Sequence, residues 1–176
     1  MPGREGPSYN ARVTRGLVPS IACLTSGWLA LIVAAPILPI PSAGALYAIG
    51  SFICHQRPER SFHLFAAQLP VCARCTGIYA GAALGASAAS LSARLRAHAV
   101  SASARALLLA GAVPTAVTLA LEWSGVWAGS NAARATAGVP LGVACALVVV
   151  QAAATLHYGG CAPRRPIANS RPPTPI

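Results

Sequence analysis

Residues 17–38 read LVPSIACLTSGWLALIVAAPIL, without one charged side chain. At 1.5 Å per residue a helix of that length reaches about 33 Å, enough to cross a hydrocarbon core of roughly 30 Å. The charge-free run continues to residue 53, but Pro36, Pro39 and Pro41 divide it. Its second part, 42–53, is too short to cross and reads as an interfacial or re-entrant helix leading into a polar loop. Further apolar runs follow at 75–93, at 106–127, broken only by Glu122, and at 135–158. The expectation is an all-α polytopic membrane protein with four crossings (17–38, 75–93, 106–127, 135–158) and a cysteine-rich loop, 42–74, that is partly re-entrant or interfacial. Composition agrees, since 55% of the 176 residues are hydrophobic, 9% are charged and mean hydropathy is +0.60. A soluble domain carries roughly a quarter charged residues, so this chain cannot clothe a water-soluble core. A P-loop, GxSxG and HExxH are absent from the sequence.

The formal charge of +10 comes from 13 arginines against Glu5, Glu59 and Glu122 alone. The arginines sit mainly between apolar runs, without the interleaved aromatics of a base-stacking surface, so membrane lipid rather than nucleic acid is the expected partner. With four crossings, Arg4, Arg12, Arg15, Arg94, Arg96, Arg105, Arg164, Arg165 and Arg171 share one side of the membrane, and Arg57, Arg60, Arg74 and Arg134 the other. By the positive-inside rule the termini are expected in the cytoplasm of a multi-pass cell-membrane protein, with the cysteine loop outside. The four outer arginines run against that rule, which points to chemistry or to anchoring at headgroups. The first run exceeds the roughly 7–15 residues of a secretory h-region and is expected to stay in the membrane. Residues 1–16 and the proline- and arginine-rich 159–176 read as disordered tails flanking a single membrane domain at 17–158. Trp123 and Trp127 read as interfacial belt residues. Cys23 and Cys145, inside crossings, read as small buried packing residues.

Gly77, Gly81 and Gly85 recur every fourth residue in the second crossing, and Gly138 and Gly142 do so in the fourth. Stripes without side chains let two helices approach closely, so these are expected to be packing faces that meet each other.

The loop carries the chemistry. Residues 54–62 read CHQRPERSF and 68–79 read QLPVCARCTGIY. Cys72 and Cys75, three apart, can share one helical turn and hold a metal or close a disulfide. Cys54 and His55 would complete a Cys₃His set if the loop folds back, or His55 acts beside it in acid-base chemistry. The stretch resembles a family of small predicted membrane proteins of bacteria and archaea, a domain of unknown function, whose signature has the form CHQxPeRSF followed by PvCaRCtGiYxG. Here Cys54, His55, Gln56, Pro58, Glu59, Arg60, Ser61 and Phe62 carry the first half. Pro70, Cys72, Ala73, Arg74, Cys75, Thr76, Gly77, Tyr79 and Gly81 carry the second. The resemblance implies an integral membrane protein with a functional motif in this loop, and no particular reaction.

Three accounts of the thiols stand open. One is a transition-metal site, most plausibly zinc, on Cys54, His55, Cys72 and Cys75, serving an enzymatic or transport role. Arg57, Arg60 and Arg74 would favour thiolates there, or hold an anionic substrate or lipid phosphate. Another is thiol-disulfide exchange by Cys72 and Cys75 with a membrane quinone, a layout that resembles DsbB-type enzymes but lacks their second cysteine pair. The third is a structural disulfide or zinc site without catalysis.

Glu122 is the only acid within a crossing. Intramembrane carboxylates are costly and pair, coordinate or relay protons. With Ser130 capping the last helix, Asn131, Arg134, Gly138 and Gly142 share one face, which brings Arg134 to Glu122. Glu122, Arg134 and His55 are thus candidate catalytic groups. One outward-facing pocket is expected to gather Cys54, His55, Gln56, Arg57, Arg60, Cys72, Arg74, Cys75, Glu122, Asn131 and Arg134.

Overall fold

The computed structural model describes residues 8–158, and the side chains of residues 16–154. The tails at 1–7 and 159–176, expected to be disordered, lie outside the described residues. The first helix, α1 (Ser8–Ala34), starts ahead of residue 17, where the first crossing was expected. No proline stands between Ser8 and Gly16 to stop it. The prolines then act as read. Pro36 sits in a single 3-10 turn (Ala35–Ile37), Leu38 and Pro39 are extended, and Pro41 occupies the first turn of α2 (Ile40–Ile53), where its missing N–H costs no hydrogen bond.

After α2 the chain departs from an all-α fold. A 3-10 turn (Pro58–Arg60) leads into an antiparallel hairpin of β1 (Ser61–Leu64) and β2 (Ala67–Cys72). Leu64 pairs with Ala67 and His63 with Gln68, and the register shifts before Ser61 meets Cys72. Phe65 and Ala66 make the tight turn with φ of 51° and 62°, the positive values a two-residue hairpin turn requires. β2 runs without a linker into α3 (Ala73–Leu91), so that Cys72 is both the last strand residue and the helix N-cap.

The expected loop at 94–105 is mostly a short helix, α4 (Ala93–Ser101), capped by Ser92, whose hydroxyl accepts from the Leu95 N–H. α5 (Ala104–Trp123) and α6 (Asn131–Tyr158) follow, and the Ser130 hydroxyl accepts from Ala133 N–H at the start of α6 as expected. Arg96 donates to the carbonyls of Ala89 and Ser90, a cation on the unpaired carbonyl end of α3.

α3 packs against α6 and α1, and α5 packs on α6. The two glycine stripes meet. A Cβ at Gly77 would strike the Ala135 carbonyl and one at Gly81 that of Val139, while one at Gly142 would strike the Ile78 carbonyl. Backbone therefore lies on backbone along this seam. Gly111 of α5 approaches the other side of α6, at the Pro140 carbonyl. Small buried clusters complete the core, among them Ala22, Ala86 and Ala146, and Val18, Ala89, Leu147 and Val150.

Among the described residues three segments, Gly16–Ile37, Ala104–Trp123 and Asn131–Ala154, are long and apolar enough to cross a membrane. α3 is not one of them, although its 19 residues would reach about 28 Å. Its glycines face α6, and Ala86 and Ala89 pack against both α1 and α6, where smallness matters more than hydropathy. Large apolar side chains instead point outward from α1 and α5, including Leu24 at 73% exposure, Leu109, Val113 and Val117, a surface suited to lipid. Cys23 is exposed on that α1 surface rather than buried, since a thiol there meets no facing helix.

Candidate metal centre and its ion cluster

Three thiols converge where α2 ends and α3 begins. Cys54 terminates α2, Cys72 ends β2, and Cys75 lies in the first turn of α3; their sulfurs all lie within 4.8 Å of one another. Ligands of a tetrahedral zinc at about 2.3 Å stand about 3.8 Å apart, so small rotamer adjustments would close the trio on an ion. All five described cysteines are free thiols.

The donor set favours thiolates. Cys72 N–H donates to Cys54 Sγ at 3.1 Å. The Cys75 thiol, the backbone N–H groups of Cys75 and Arg74, and the Cys54 thiol all favour the Cys72 thiolate, and together overcome burial to push its pKa down to about 5. The same N–H groups are the orphan donors of the α3 N-terminus, a place where anions are stabilised. Behind the sulfurs stand Ile32 and Val71, both buried, and the Trp28 and Tyr79 rings, edge to face at 6.1 Å. A dry wall of this kind shields metal–sulfur bonds from water.

In front of the sulfurs opens a cavity of about 450 Å³. Polar His55, Gln56, Arg57 and Arg60 line it together with apolar Ile53, Leu119 and Trp123. His55, expected among the metal ligands, is exposed in this cavity and does not stand with the three sulfurs. Cys54 is extended (φ −147°, ψ 139°), so its neighbour's side chain diverges from the thiol, and Gln56, at φ 48°, then turns the chain away. Gln56 is largely committed to holding the hairpin. Its Nε2 donates to the carbonyls of Tyr47 at 2.7 Å and Pro70 at 2.8 Å, and its own carbonyl accepts from Gln68. The Tyr47 hydroxyl donates to the Gln68 carbonyl.

The expected single pocket resolves into two parts. Glu122, only 3% exposed, does not line the cavity but sits in an ion cluster beside it. Its Oε1 accepts from Arg134 Nε at 3.0 Å and from Arg74 at 3.2 Å, while Oε2 lies 3.8 Å from Arg60 and has no hydrogen bond. One carboxylate thus ties α5 to α6, to α3 and to the turn before β1. Arg74 also donates to Thr118. Asn131 spans the junction, donating to the buried Ser61's carbonyl at 3.0 Å and accepting from Arg134 at 2.9 Å. Arg60 alone belongs to both the cavity and the cluster. The Glu122–Arg134 pair follows from helix spacing, Thr118 lies one turn before Glu122 on α5, and Arg60 and Arg74 were expected in the same pocket; Tyr47, Gln68 and Ser61 enter through long-range contacts that no local period marks. Trp123, read only as a belt residue, is a wall of the cavity.

Residues 54–148 match a family described as predicted membrane protein (DUF2085). An uncharacterized protein of Methanothermobacter thermautotrophicus is 35% identical over 97 residues, covering 55% of this chain and 84% of the relative. An uncharacterized protein of Methanocaldococcus jannaschii is 58% identical over 40 residues, 23% of this chain and 26% of that relative, so the match spans about a quarter of its length. No solved structure matches the chain.

Proposed function

Since the chain belongs to the predicted-membrane-protein family DUF2085, we propose that it is a multi-pass cell-membrane protein whose Cys54, Cys72 and Cys75 hold a transition metal, zinc by donor chemistry, for an enzymatic or transport role. The observation that carries this reading is the convergence of three sulfurs from α2, β2 and α3, each wrapped by N–H donors or apolar walls and facing one cavity. With three thiolates as its ligands, a tetrahedral ion would have one position unfilled by these cysteines, which also line the cavity, as a reactive rather than a closed structural zinc site would. When bound, the ion would supply Lewis acidity to a ligand in the cavity; Arg57 and Arg60 would offset the charge of the thiolates. α3 serves as the fourth crossing in this reading, enclosed by its neighbours, with the termini cytoplasmic and the thiols on the outer face.

A second reading draws on the Cys72 thiolate at the start of a helix. As a redox pair, the oxidised Cys72–Cys75 disulfide would be attacked by a substrate thiolate, forming a mixed disulfide and releasing one cysteine of the pair as a thiolate. A second substrate thiolate would attack the substrate sulfur of that mixed disulfide, closing the substrate disulfide and releasing the other cysteine. A membrane quinone would then take two electrons and two protons from Cys72 and Cys75, re-forming their disulfide and leaving the quinol.

Metal content of detergent-purified protein, by elemental mass spectrometry, decides between them. The metal reading expects about one equivalent of zinc in wild type and in His55→Ala, lost in Cys75→Ser. Folded wild type prepared without chelators and carrying no metal would overturn it, and a Cys72–Cys75 disulfide that cycles with a quinone would establish the alternative.

A further inference from the structure

Arg60 is the guanidinium left over. Glu122 already takes hydrogen bonds from Arg74 and Arg134, so Arg60, 3.8 Å from Oε2, makes no side-chain hydrogen bond among the described residues. Arg57 is little better engaged, its one ionic contact being Glu59 at 4.0 Å on an exposed surface. Both line the cavity in front of the thiols.

Their placement is built rather than incidental. The two arginines flank a 3-10 turn closed by the hydrogen bond from Arg60 N–H to the Arg57 carbonyl at 3.0 Å. Arg57 is the extended N-cap of this turn and Arg60 its last residue, so the closing hydrogen bond keeps the two residues one turn apart. The turn is fastened from behind, because buried Ser61 donates to the Arg57 carbonyl at 2.9 Å and Asn131 of α6 donates to the Ser61 carbonyl. Two forked donors one turn apart therefore line a cavity with no carboxylate among its lining residues.

We propose that this arginine pair binds a phosphate-class anion, the head of a bilayer phospholipid or free phosphate, directly in front of the sulfur cluster. Two adjacent guanidiniums match an oxyanion with several equivalent oxygens, which can accept from both forks at once. The apolar part of the lining suits an attached hydrocarbon chain: Ile53 and Trp123 are 52% and 78% exposed, at the ends of α2 and α5. The inference rests on the same cavity as the metal reading and names the ligand class that would meet the open coordination position.

The test is calorimetric titration of the full chain in detergent with inorganic phosphate and, separately, with dihexanoyl phosphatidic acid, measuring zinc on the same samples. Wild type binds, Arg57→Gln with Arg60→Gln weakens binding at least about tenfold, and Arg105→Gln, a variant outside the cavity, leaves it unchanged. Arg57→Gln alone, at an exposed position that leaves the Glu122 cluster intact, also weakens it. Phosphatidic acid binding about tenfold tighter than phosphate assigns the lipid head as the source; equal affinity assigns free phosphate. Wild type binding neither probe while retaining zinc overturns this inference alone. So does undiminished binding by Arg57→Gln and the double variant. Phosphate binding by zinc-free wild type overturns the metal reading alone.

Discussion

Gly81→Ala adds one methyl group where the Val139 carbonyl already stands inside contact distance. Two terms oppose each other. Alanine gains up to about 1 kcal/mol over glycine in a helix, and that gain is free of charge at Gly27, where a Cβ meets nothing within 4 Å. At Gly81 the methyl can be admitted only if α3 and α6 part. A gap approaching roughly 1 Å forfeits between a quarter and a half of each dispersion contact across the seam. Overpacking of this kind costs about 1–3 kcal/mol, and no hydrophobic force recloses the helices within lipid. The net expectation is a loss of about 0–2 kcal/mol for Gly81→Ala and for Gly142→Ala, against a gain at Gly27. Gly85→Ala, whose Cβ would sit 3.1 Å from Val143 Cα and 3.2 Å from the Ala146 methyl, should fall near zero. Unfolding in mixed micelles under increasing denaturing detergent, followed by circular dichroism, ranks the four variants. Should Gly81→Ala prove as stable as Gly27→Ala, the backbone contact between α3 and α6 is wrong.

Glu122→Gln leaves Arg74 and Arg134 buried without their carboxylate, and should cost about 3–5 kcal/mol in the same unfolding measurement. Arg60→Gln, whose partner is 3.8 Å away and whose side chain is 39% exposed, should cost about 1 kcal/mol or less. In chelator-treated protein, Cys72 should be alkylated as a thiolate at pH 6 and lose that reactivity as pH falls through about 5, because its depressed pKa keeps the charged form above that value. Mass-spectrometric labelling in which Cys72 reacts only near pH 8–9 would contradict this. Gln56→Ala should lower hydrogen-exchange protection across the hairpin while leaving α3 and α6 protected, since both Nε2 bonds join the hairpin to α2 and its flank.

What the sequence disclosed follows from the range of each interaction. The crossings at 17–38, 106–127 and 135–158, the facing glycine stripes, the Ser130 cap and the Glu122–Arg134 pair are all written in local periods of three, four or about twenty residues. The hairpin was not, because Phe65 and Ala66 replace the Asn-Gly that advertises such a turn and Pro70 interrupts the strand pattern. Arg60 and Arg74 reach Glu122 only after α3, α5 and the Pro58–Arg60 turn are rotated into place, a property of packing and not of spacing. His55 follows Cys54 directly in sequence, yet an extended backbone sends adjacent side chains apart, so it lines the cavity and does not stand among the three sulfurs.

The three sulfurs are not carried by one rigid body. Cys72 and Cys75 start a helix whose backbone is locked against α6, with no layer of flexible side chains between them to absorb sliding. Cys54 ends a short apolar helix tethered by prolines at one end and by the hydrogen bonds of Gln56 at the other. The trio therefore joins two separately anchored elements, and an ion held as proposed would fasten the end of α2 to the α3–α6 seam, making that seam's rigidity part of the site.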